Sequence, residues 1–566
     1  MKRPLTIALV VAILVAGVLY TRGGRGPSIP VPSSPPLAPD VIVGATLLDG
    51  LGNYHFPITS SKPGVQRWFD QGLMLTYGFN HDAAERSFLR AAEIDPYCAM
   101  CWWGAALVLG PHVNAAMDPK NSDKAWTRLQ KAVNLAPKAS EREHAFITAL
   151  TARYSQNPPE DRKPLDVSYA AATGKLAAQY PNDLDAAVFH AEAMMDLQPW
   201  DYYDDKLQPK GNTAEIVSTL ESVIKRNPDH PGALHLYVHA VEASANPERG
   251  VAAADHLRTL IPGSGHLVHM PAHIYSRVGR WHDAVLANQV AIQADDAYLA
   301  ICRGNVKGIY PLGYVPHNHH FLWFASSMEG ASAIAKAAAE QTASRTNIPD
   351  LMRQLGFAGL QHYWMTPWFD RVRFGHWNEI AGVANPAPDL PYVTAVWNYA
   401  QGMAAVRQNR RDDAVRHLDA LAKLAADPQM EKLTVWDRYP LAHAARIAER
   451  TLSAELAAAR GDTAAAISAL REAVLIEDKI PYDEPPGWHS PVRQSLGVML
   501  LAAGEPAEAE TVYREELRRN PGNGWSLFGL AQSLRAQKRE ADAKKVDAEF
   551  AKAWQHADVK LTASRF

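Results

Sequence analysis

Hydrophobic and polar positions along this chain fall into successive regimes. Lys2 and Arg3 precede an uncharged, mainly apolar run from Leu5 to Tyr20, which Thr21 and Arg22 end. That run is short of the roughly 20 residues a spanning helix needs, and it sits near the upper length of a signal-peptide core. No A-x-A cleavage pattern follows it, so residues 1–22 read as an uncleaved signal anchor in preference to a cleaved peptide. Arg22 and Arg25 lie just beyond the run and weaken the charge asymmetry that would set its orientation. Residues 23–40 (GGRGPSIPVPSSPPLAPD) form an extended Pro/Gly/Ser-rich spacer. From residue 41 onward the pattern changes again. Short segments of helical period alternate with Gly, Asp and Pro breaks, as in Asp412 to Leu424 and Leu441 to Ala459, with no convincing run of alternating strands.

The short helices repeat. Trp68, Gly72, Ala84, Phe88, Ala91 and Pro96 stand at offsets that recur near the other end as Gly497, Ala509, Tyr513 and Pro521, and Ala531 to Ala543 repeats one step of the series. Small residues let two antiparallel helices approach, large ones fill the gap, and Pro stops the second helix. The spacing resembles the tetratricopeptide-repeat superfamily over roughly residues 64–555. The segments NHDAAERSFLRAAEIDPYCAMCWWGAALVLGP and EPPGWHSPVRQSLGVMLLAAGEPAEAE look like an exported bacterial branch of it. The resemblance implies an all-α fold, an α-solenoid of helical hairpins. A loss of repeat phase around Thr342 to Asp350 divides it into arrays over 41–345 and 346–566. Residues 198–211 and 299–316 interrupt the hairpins; Tyr202, Tyr203, Asp204 and Asp205 of the first insertion read as a solvated loop. Ile480 to Pro491 reads as a connecting loop, and the aromatic stretch Tyr363 to Trp377 as packing.

Composition narrows the function. With 566 residues, 57 basic against 60 acidic, and a net charge of −3, the chain has no basic footprint for nucleic acid. Three cysteines support no disulfide framework. For Cys98 and Cys101, packing ranks first, a local disulfide second and redox catalysis last.

Histidine placement supplies the candidate chemistry. His235 and His239 in LHLYVHAVE are followed 34 residues later by His269 and His273 in HLVHMPAHIY, one repeat on. Within each helix the pair is one turn apart and shares a face. His320 on the next repeat and Glu192 on the preceding one fall level with these columns. The resemblance implies that such positions line the concave groove. His235, His239, His269 and His273, completed by His320 or Glu192, are therefore expected to hold a transition metal ion, with Cu, Zn and Fe not distinguished. His266, His317, Arg277, Tyr237 and Glu242 are expected around them in the groove. An open coordination position would permit chemistry on a small or peptide substrate; whether the chain is an enzyme stays open at this point. The competing reading is a metal-free groove for a peptide or an envelope protein. A structural role for the histidines comes third. The expected location is the periplasmic face of a bacterial inner membrane, held through residues 5–20.

Overall fold

The computed structural model describes residues 45–302 and 308–566. The expected signal anchor and linker lie outside the described residues. Among those described, no helix is long and apolar enough to cross a membrane. Among the described residues, strand is confined to β1 (Thr434–Val435) and β2 (Tyr439–Pro440), antiparallel with Thr434 opposite Pro440. The all-helical expectation holds.

The helices gather into two compact units. One comprises the chain to Pro271 together with Val290–Tyr314; the other comprises Ala272–Gln289 and Val315–Phe566. These units are drawn differently from the two arrays inferred from repeat phase, because a stretch on either side of Pro271 and Tyr314 changes allegiance.

In the first unit the hairpins begin with α1 (Val65–Tyr77), α2 (His81–Ile94) and α3 (Ala99–Leu107). Phe88 of α2 is fully buried, and a Cβ placed on Gly72 of α1 or Gly104 of α3 would meet its ring at 2.7 and 2.5 Å. One aromatic is thus clamped between two glycines, sixteen residues to either side. The second unit repeats the clamp with the same offsets. Tyr513 lies between Gly497 and Gly529, where an added Cβ would meet its ring at 2.3 and 2.2 Å. Only glycine permits so close a helix approach at these points. The Cys98 and Cys101 sulfurs are joined in a disulfide, and both residues are also buried against Ala91 and Val65. Packing and covalent pairing coexist there, so ranking packing above the disulfide is corrected.

The first unit continues through α4 (Ser122–Leu135), α5 (Glu141–Leu150), α6 (Lys163–Gln179), α7 (Leu184–Met195), α8 (Thr213–Arg226) and α9 (Pro231–Val241). Adjacent helices pack in sequence order, as repeats do. A contact of much longer range joins α1 directly to α9. Gly232 admits the Tyr77 ring, which a Cβ would meet at 2.5 Å, and the Tyr54 and Tyr77 hydroxyls donate to Asp185 at 3.0 and 2.6 Å. The His230 ring sits 5.6 Å from that of Tyr77.

The insertion at 198–211 is not a free loop. Tyr202 is buried and the Tyr203 hydroxyl donates to the Ala240 carbonyl at 2.7 Å, which lays the segment along α9. The solvated reading of both tyrosines is therefore corrected. It stands for Asp204 and Asp205, which are exposed.

Candidate metal centre

Helix α9 is buried along its whole length. Pro231 occupies its first turn, where a missing N–H costs nothing, and the His230 Nδ1 caps it by accepting from the Ala233 N–H at 3.2 Å. Buried histidines must place both ring nitrogens, and His235 and His239 do so in the same way. The Nδ1 of His235 donates to the Tyr77 carbonyl at 2.6 Å. The Nδ1 of His239 lies 2.9 Å from Oε1 of Glu242, a fully buried carboxylate just past the helix end. A carbonyl or carboxylate on Nδ1 fixes the tautomer that leaves Nε2 as a lone-pair donor. The two rings are 4.9 Å apart.

The third ring comes from α11 (Gly265–His269), which follows α10 (Val251–Leu260). The His266 N–H donates to the Tyr310 hydroxyl at 3.3 Å, and that hydroxyl donates to Asp295 at 2.8 Å. The Tyr314 ring lies 4.4 Å from the His266 ring. The insertion at 299–316 thus helps to hold α11 in place. His266 Nε2 stands 3.1 Å from His235 Nε2. One nitrogen from each of His235, His239 and His266 lies within 4.8 Å of the others, and all three residues are buried. Tetrahedral nitrogen ligands at zinc distances sit about 3.3 Å apart, so a small closure of this triangle reaches ligand geometry.

Aromatic walls surround the triangle. Phe79 lies 4.5 Å from His235, 5.6 Å from His266 and 6.0 Å from His239, and stacks on His112 at 4.5 Å. Trp200 from the insertion meets His239 edge-on at 5.2 Å. Both carry left-handed backbones, with φ of 53° and 61°. Bulky residues rarely adopt that conformation, which costs on the order of 1–3 kcal/mol and persists only where surroundings impose it. Behind Phe79, His81 and His112 are 4.5 Å apart. Burial, reinforced by Arg153, lowers the pKa of His81 to about 3 against the opposing Val108 carbonyl. Burial and the neighbouring His81 push that of His112 well down. This side of the site is neutral imidazole, the form that ligates metals.

The expected residues are distributed as follows. His235 and His239 come together, and the ring that joins them is His266, assigned from sequence to the surrounding groove. His269 is fully buried with its ring 6.2 Å from that of His266. His273 belongs to the second unit, 3.6 Å from Glu484. His320 is there too, on α14 (Val315–Glu329), which follows α12 (Pro271–Arg277) and α13 (Trp281–Cys302). Its ring packs on Tyr363 at 4.4 Å. His317 lies 3.4 Å from the Tyr363 hydroxyl, and Arg277 donates to the Arg519 carbonyl at 3.3 Å. Glu192 is buried on α7 and is not one of the three gathered residues; burial raises its pKa to about 7 against the pull of Arg153. Tyr237 donates to Glu221 at 2.7 Å. Glu242 stands against His239, as described. Phe79, His81, His112, Trp200 and Tyr314 escaped sequence reading. Phe79, His112, Trp200 and Tyr314 lie in turns, loops or insertions and His81 opens α2, none with a periodic partner to mark it.

No protein-family model matches the chain, and no curated protein does. Solved structures match over most of its length. The Cut9 and Hcn1 hetero-tetramer of the APC/C is 15% identical, covering 83% of this chain and 76% of that one at a TM-score of 0.30. The human IFIT1 dimer with m7Gppp-AAAA is 11% identical, covering 84% and 94% at 0.32. Yeast Tom70 is 12% identical, covering 87% and 97% at 0.30. Its own helical hairpins, with an aromatic clamped between glycines at the same offsets in both units, make the chain a helical repeat protein.

Proposed function

We propose that this repeat protein binds a transition metal ion in its first unit, through the Nε2 atoms of His235, His239 and His266. The supporting observation is that two of these imidazoles are already oriented from behind, by the Tyr77 carbonyl and the Glu242 carboxylate, with a third nitrogen 3.1 Å from the first. Three imidazoles suit zinc, copper or iron and leave a coordination position for water or a substrate group. The reading as an exported protein rests on the Leu5 to Tyr20 run and on the Cys98–Cys101 disulfide, since disulfides persist in oxidising compartments.

Elemental analysis of protein purified without metal resin tests the metal reading, with about one equivalent of metal ion expected per chain for a single site. His239→Ala with His266→Ala should lose that metal and keep its helical circular dichroism. Absence of stoichiometric metal, together with no rise in melting temperature on adding Zn, Cu or Fe, overturns it. Cell fractionation tests export. The full chain should be recovered with membranes and be open to protease from the periplasmic side; recovery in the cytosol rejects that part.

A further inference from the structure

The second unit contains a recess with a buried polar lining that includes two arginines, Arg373 and Arg565. It lies among three helices, Pro391–Arg407, Ala442–Ala459 and Val492–Ala502, and is closed by Trp488, His489 and the last residues, Arg565 and Phe566. Arg373 enters it from the end of the helix Thr366–Arg373 and is only 4% exposed. Its Nη1 donates to Ser490 Oγ and Gln494 Oε1, both at 2.6 Å, and its face lies 3.8 Å from the Trp525 ring. Its Nε and Nη2 are buried with no hydrogen-bond partner among the described residues. The same holds for Arg565 Nε, His489 Nδ1 and Thr451 Oγ1, all on residues lining this recess. The Tyr399 hydroxyl lies 3.3 Å from His489 Nε2; donating there would make Nδ1 the protonated nitrogen.

Glu455 is the side-chain carboxylate lining the recess, and it is held between Arg565 and Arg407. Arg407 also donates to the Phe566 carbonyl at 3.1 Å. Glu516 acts on Arg373 through space, while its own carboxylate accepts from Asn520 at 2.7 Å. Burial lowers the pKa of Arg373 to about 9, the expected response of a guanidinium without a contacting counter-charge, and leaves it a cation at neutral pH. A buried cation with two unused donors is costly unless something satisfies it.

We infer that this recess binds the carboxylate of a small organic acid, gripped by Arg373 and hydrogen-bonded by Thr451 and His489. The cavity measures about 30 Å³. One water-sized sphere needs on the order of 10–15 Å³, so the enclosed part of the recess takes about two oxygen-sized groups, the number a carboxylate presents. The free edge of a guanidinium matches a planar carboxylate with two parallel hydrogen bonds. Val372, Met403 and Trp488 line the same recess and offer an apolar wall to a short alkyl tail.

Calorimetric titration of the full chain with acetate and butyrate, in chloride buffer at constant ionic strength, tests this. Saturable binding is expected for both acids and none for inorganic phosphate. Arg373→Met should abolish it. Thr451→Val, which keeps shape and removes one donor, should weaken it about tenfold, the scale of a hydrogen bond to a charged group. If Arg373→Met does not fold, the Thr451→Val result decides. Absence of saturable carboxylate binding, equal or better binding of phosphate, or undiminished affinity in either folded variant overturns the inference.

Discussion

Single residues set the chemistry of both sites. Glu242 touches His239 on the side away from the proposed ligand atom, so its role is to fix a tautomer and orient a ring. Glu242→Gln should weaken metal binding about 10- to 100-fold in chelator competition while leaving circular dichroism unchanged. Unchanged affinity would make the pair purely structural. Asp370 gives a separate titration. It is buried, accepts from the Trp323 indole at 3.1 Å, and burial raises its pKa to about 7. The folded protein therefore holds this proton more tightly than the unfolded chain does. Stability from this group is complete on the acid side and is lost as pH rises from about 4, the ordinary aspartate value, to about 7. Urea unfolding across that range should show the decline, and Asp370→Asn should flatten it. Little of this is legible in the sequence at this scale. Arg373 sits in an aromatic-rich stretch that reads as packing, and Phe369 beside it is indeed fully buried. An unsatisfied guanidinium is visible only once every neighbour has been placed.

At the scale of elements the repeat spacing was informative, because it follows from how closely two helices can pack. Gly497→Ala puts a Cβ 2.3 Å from the Tyr513 ring, and overpacking of this kind costs about 1–3 kcal/mol. Gly504→Ala has open space around its Cβ but a left-handed backbone, with φ of 77°, so its smaller loss should reflect turn strain alone. Comparing their denaturation midpoints separates the two causes. At this same scale Pro271 interrupts the histidine register. Aligning His269 and His273 with His235 and His239 assumes one helix from His266 to Tyr275. Instead α11 ends at His269 and α12 begins at Pro271, since proline in a helix interior lacks an N–H and clashes with the preceding turn. With the helix broken there, the ring that meets His235 comes 31 residues later and not 34.

For the whole molecule, repeat proteins are ordinarily chains of nearest-neighbour contacts, in which one end can open while the other stays closed. The first unit departs from this through the packing of α1 on α9. Native-state hydrogen exchange should give amides of Leu73 to Tyr77 the same opening free energy as those of Leu234 to Val238. Independent values would mean the contact does not couple the two helices. The contact also has a consequence during synthesis. The Tyr77 carbonyl is made 158 residues before the His235 ring it pairs with. At bacterial to eukaryotic elongation rates of about 5–20 residues per second, that wait lasts roughly 8–30 s. Throughout it, α1 can form its hairpin with α2 but cannot bury the face meant for α9. A nascent chain of this protein therefore carries an uncovered aromatic helix face for most of its first unit's translation, and a holdase would find its substrate there.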